Sequence, residues 1–169
     1  MKKFAALLSL ATALTAPLSG TALGAEEYAK GTGALEVFDR EAIVDLPMLT
    51  KVWLVFMLTT FAVGLFVFAV DKPIARWAGG GLIFSMATCH PFFTALGLPV
   101  LSGAIATSHI VCWSPALVLL LIKRPFLDRN EGYGFRIWSA LMTGVILISF
   151  VFDFREAAIY IKHVANLPH

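Results

Sequence analysis

The stretch Gly81-LIFSMATCHPFFTALGLPVLSGAIATSHIV-Cys112 decides the reading of this chain. Two apolar runs flank Gly97-Leu98-Pro99. In lipid only a helix satisfies every backbone group within a single segment, so runs of this length on either side of a Gly-Leu-Pro turn predict an antiparallel pair of membrane helices. Small residues recur every four positions on both: Gly81, Ser85 and Cys89 before the turn, Ala104, Ser108 and Cys112 after it. Such stripes let helix backbones approach closely.

If the stripes face each other, His90 lies one residue past Cys89 and His109 one past Ser108, each about 100° round its helix. Because the helices run in opposite directions, both imidazoles then point to the same side of the hairpin. His90 is nine residues before Pro99 and His109 ten after it, so both sit about 14 Å from the turn at about 1.5 Å per residue. That depth is near the middle of a hydrocarbon core about 30 Å thick.

An ionisable side chain at that depth marks a functional site by default, since its charged form is penalised and its neutral form needs a partner. Two imidazoles can hold a haem b iron, a copper or a zinc ion, with Cys112, one turn from His109, as a third ligand. They can equally pass a proton. They can also serve structure alone, each donating to one of the carbonyls, Ala87 and Val111, that Pro91 and Pro115 leave without a helical donor.

The leading expectation is a haem- or metal-binding subunit of a membrane redox or metal-handling system, with His90 and His109 as cofactor ligands and His90, His109 and Cys112 as the metal set. One alternative is a proton or ion channel or transporter component, in which Thr59, Thr60 and Thr143 lie near the same depth. The other is a non-catalytic assembly subunit of a membrane complex. No catalytic residue is assigned.

Composition agrees with a membrane protein. Of 169 residues 59% are hydrophobic and 14% charged, and the mean hydropathy of +0.82 is too high for a soluble domain. The expected partners are the bilayer and other membrane subunits or a second copy. Without Lys2 and Lys3 the chain holds eleven basic and eleven acidic residues, so no basic stripe remains for nucleic acid. There is no phosphate loop, His-Glu-x-x-His or serine nucleophile motif, and no Cys-x-x-Cys. A Cys89–Cys112 disulfide is unattractive because their distances from the turn differ by about 4.5 Å along the axis.

Working outward, Lys2-Lys3, the apolar run Phe4 to Leu14 and the small residues from Pro17 to Gly24 follow the order of a bacterial secretory signal, so residues 1–24 are expected to be removed. Residues 25–50 form an external amphipathic segment. There Leu35, Phe38, Ala42 and Leu46 fall at helical spacing among Glu36, Asp39, Arg40, Glu41 and Asp45, a narrow-striped helix stopped before Pro47.

Residues 51–169 then form an all-α integral membrane bundle of four transmembrane helices, spanning about Val52–Val70, Ile74–Leu96, Ser102–Ile122 and Ile137–Phe152, the last continuing as helix to Val164. With a processed signal both mature ends are periplasmic and the protein sits in the inner membrane. The loops 71–76 and 123–136 then carry six basic and three acidic residues inside, against five basic and eight acidic outside, in keeping with the positive-inside rule. Trp53, Trp77 and Trp138 are expected as interface anchors and Trp113 as a core aromatic. Beyond the fourth span Asp153 and Glu156 share a face with Tyr160 and His163, which fits either an external cation site or a solvated helix end.

Overall fold

The computed structural model describes residues 28–38 and 40–167; the expected signal at residues 1–24 lies outside them. In chain order the helices are α1 (Arg40–Asp45), α2 (Met48–Val63) with a π-helical continuation Gly64–Phe68, α3 (Pro73–Ala95), α4 (Ser102–Lys123) and α5 (Tyr133–Val164). Among the described residues there is no strand, only an isolated bridge between Lys30 and Val37.

Among the described residues three helices are long and apolar enough to cross a membrane: α2 with its continuation, α4 and α5. The molecule is a multi-pass membrane protein. The 23 residues of α3 are sufficient in length, but Arg76, three consecutive glycines, Ser85, Thr88, His90 and Pro91 dilute its apolar content. At 32 residues, α5 is about 48 Å long and exceeds the hydrocarbon thickness of about 30 Å.

The central element is α4, which packs on α3 along one side and on α5 along the other. Its joint with α3 is the expected hairpin. α3 ends in a Schellman turn, with Leu98 N–H donating to the Phe93 carbonyl at 2.9 Å and Gly97 N–H to that of Thr94 at 3.0 Å. Gly97 at φ +69° supplies the left-handed residue this turn requires. The two small stripes do meet. A Cβ on Gly81 would lie 2.5 Å from the Cys112 carbonyl oxygen, and Cys89 interacts with Ser108 across the joint.

One apolar core runs through all four long helices, with Phe61, Ala75, Trp113, Leu120, Met142 and Ile146 among its most buried members. Trp113 is 1% exposed, as expected of a core aromatic. Trp138 departs from the interface role expected of it. It is 3% exposed and donates its Nε1–H to the Thr60 carbonyl at 2.9 Å. Its ring fills the place of a side chain on Gly64, with Cε2 2.8 Å from a Cβ there, where α2 passes into π geometry.

The amphipathic helix expected over Leu35 to Leu46 is shorter than its spacing implies. Only Arg40–Asp45 is helical, although Ala42 and Leu46 are buried as the stripe predicts. Residues 28–38 instead form a strap tied to the start of α4. Ser102 N–H donates to the Glu36 carbonyl at 2.9 Å and Gly103 N–H to that of Ala34 at 3.0 Å. These amides open a helix and have no partner within it, so tertiary bonding to the strap replaces helix propagation. A second apolar cluster, Cys89, Phe93, Leu101, Ala104 and Tyr160, lies under the strap residues Tyr28, Leu35 and Val37.

Candidate functional site

The turn end of the bundle holds the ionisable cluster. His109 sits seven residues into α4, about 10 Å below its start, and faces α5. Its Nδ1 lies 3.6 Å from Asp153 Oδ2, with the two side chains 22% and 14% exposed. The imidazole stacks on Trp113 one turn further along α4, ring centroids 4.1 Å apart and planes 15° from parallel. Glu156, half-buried one turn beyond Asp153, is in electrostatic range of both Asp153 and His109.

The register follows from close approach. At Gly103 a Cβ would overlap that of Tyr160 and lie 2.9 Å from the Glu156 carbonyl oxygen. With the helices antiparallel, six residues inward on α4 and a turn or two back on α5 bring His109 to Asp153. Tyr160 locks this end, its hydroxyl donating to the Pro99 carbonyl at 2.8 Å and its ring meeting Phe93 edge-on. His163 is held to the strap, its Nε2 2.8 Å from the Tyr28 hydroxyl.

The pair is polar chemistry left partly unsatisfied. Asp153 Oδ2 and Trp113 Nε1 are both buried without a hydrogen-bond partner among the described residues, and 3.6 Å is longer than a direct hydrogen bond. A buried carboxylate oxygen in that condition is a strong acceptor facing an imidazole that can carry a proton. One face of the end of α5 is packed, with Asp153, Tyr160 and His163 turned inward to α4, the Pro99 turn or the strap, while Arg155 and Lys162 stay exposed.

The sequence-derived candidates are placed as follows. His109 is in the cluster. His90 is half-buried on α3, and among the described residues no hydrogen bond, ion pair or ring contact joins it to His109. Neither imidazole hydrogen-bonds the Ala87 or Val111 carbonyl. Cys112 lies on the α3 side of α4, against Gly81, and both cysteines are free thiols. Thr60 and Thr143 return their hydroxyls to the carbonyls of Phe56 and Ser139 in their own helices. Among the described residues no group of three or more His, Cys, Asp or Glu side chains is arranged to hold a metal ion.

Asp153 is the functional candidate that spacing arguments missed as a partner of His109. A signal was present, since Ser149, Asp153, Ala157 and Tyr160 share a helical face whose other members are buried. No family model matches the chain, and no curated protein or solved structure matches it either.

Proposed function

We propose that the protein is a proton- or cation-handling component of a membrane channel or transporter, built as four transmembrane helices, in which His109 and Asp153 are the loading site. The observation that carries this reading is the inter-helix pair itself, an imidazole and a carboxylate from α4 and α5 with Asp153 Oδ2 buried and unbonded. Intramembrane ionisable residues that face a bundle interior and pair with each other are characteristic of proton and ion paths. His109 takes the proton, Asp153 stabilises the imidazolium, and Glu156 offers the next carboxylate toward the end of α5. The excess of basic residues in the loops 71–76 and 123–136 supports an orientation in an inner membrane with that end and both mature termini periplasmic.

The haem, copper or zinc reading of His90, His109 and Cys112 has one supporting feature: a carboxylate on Nδ1 of His109 would orient Nε2 toward a ligand, as carboxylates do behind metal-bound histidines. Among the described residues neither His90 nor Cys112 joins His109 in a group of three ligands that could complete it.

Proton flux into proteoliposomes, read with an enclosed pH-sensitive dye, tests the proposal. Wild-type protein should conduct, and His109→Ala and Asp153→Asn should each lower the flux at least tenfold. Flux equal to wild type in both variants overturns the reading. A Soret band in the purified protein, or one equivalent of bound metal lost in His90→Ala, transfers the assignment to the cofactor alternative.

A further inference from the structure

We infer that the face between α3 and α4 binds one anionic phospholipid, with its phosphate at Arg76 and one acyl chain in the groove below. A groove of about 510 Å³ runs there, walled by Arg76, Trp77, Gly80 and Phe84 of α3 and by Val111 and Pro115 of α4. Apart from Arg76 at its mouth the lining is apolar, and that volume is in the range of small-molecule sites. From Arg76 to Phe84 it extends about 12 Å at the helical rise, close to the depth of one leaflet, about 15 Å.

The headgroup end is defined by charge. The Arg76 guanidinium is exposed and donates to the carbonyls of Ala69 at 2.6 Å and Val70 at 2.5 Å, which anchors it while leaving other N–H groups for a phosphate. Lys72 is engaged with Glu131 on the adjoining loop. Trp77 beside Arg76 is 54% exposed at the level where indole rings favour the headgroup region. Basic pockets between membrane helices at the positive side are sites for acidic lipid headgroups.

Gly79 and Gly81 are closed by Leu65 and by the Cys112 carbonyl, whereas a Cβ on Gly80, between them, would meet nothing within 4 Å. Gly80 and Gly81 both line the groove, and of the two only Gly80 has room for a side chain.

The test is native mass spectrometry of the full protein in mild detergent, titrated with phosphatidylglycerol and with phosphatidylcholine of the same acyl chains. The wild type should retain one phosphatidylglycerol in preference to phosphatidylcholine. Gly80→Leu fills the groove from α3 and Val111→Trp from α4, so each should lose both lipids while circular dichroism shows the helices intact. The two blocks are independent, so one remains informative if the other fails to fold. Arg76→Gln should keep acyl binding but lose about fivefold in headgroup preference, the value of one basic residue at an anionic surface. Undiminished phosphatidylglycerol binding in the blocked variants, unchanged headgroup preference in Arg76→Gln, or a wild type that binds no lipid because a second copy covers this face would each overturn the inference.

Discussion

His109 and Asp153 stand 44 positions apart in the chain and meet with Nδ1 and Oδ2 3.6 Å apart between α4 and α5. Groups that share one proton or one ion act as a unit. In a double-mutant cycle on unfolding in mild detergent, His109→Ala and Asp153→Asn should therefore be coupled by about 0.5–3 kcal/mol. In flux, the double variant should be no worse than the more severe single one. His90→Ala combined with either should be additive. Coupling of His109 to His90 instead would restore the paired-histidine site.

Close approach between α4 and α5 sets the register of that pair. Gly103→Ala forces a methyl against Tyr160 and against the Ala34 and Glu156 carbonyls, an overpacked joint that should cost about 1–3 kcal/mol and lower flux with it. Gly144→Ala is the control. A Cβ there meets nothing within 4 Å, so the change should stabilise α5 by the helix propensity difference of about 1 kcal/mol. Thermal unfolding of the two variants should move in opposite directions.

Trp138 braces α2 against α5. Trp138→Phe removes the hydrogen bond to the Thr60 carbonyl and should cost about 1 kcal/mol. Gly64→Ala should cost more, because a methyl there displaces the indole ring. Tryptophan fluorescence should shift in Gly64→Ala as the ring moves. An unshifted spectrum with unchanged stability would mean that Gly64 is not a packing contact.

Reporter fusions test the arrangement across the membrane. With α5 crossing the bilayer, a reporter at Arg129 and one after His169 should lie on opposite sides, the former cytoplasmic. Reporters on the same side would remove the last span.

The small stripes Gly81-Ser85-Cys89 and Ala104-Ser108-Cys112 were legible because close packing of helices in lipid needs small residues at a fixed period, and both face the joint as their spacing implies. The hairpin turn was legible too, since Gly97 is the residue a left-handed helix terminus accepts at no steric cost. Trp138 was misjudged. Its place near the end of an apolar run is the same for an interface anchor and for a ring inserted against another helix, and only the glycine opposite it distinguishes the two. Residues 35–46 carry a helical stripe, yet the first four of them belong to the strap, where the Glu36 carbonyl and that of Ala34 just before it accept the unpaired amides at the start of α4 instead of helical ones.

What the sequence determined by itself is therefore what is governed by local period and by transfer to lipid: a membrane protein that is helical among the described residues, its hairpin, and His109 as an ionisable group on an apolar helix. What only the tertiary structure decided is the partner of that histidine. Periodicity within one helix fixes which side a residue occupies, but the neighbour it finds there depends on the axial register between two helices. Between α4 and α5 that register is set by Gly103 beneath Tyr160, a contact between residues 57 positions apart that no local pattern encodes. The same contact turned Asp153 from a solvated helix end into the carboxylate facing His109.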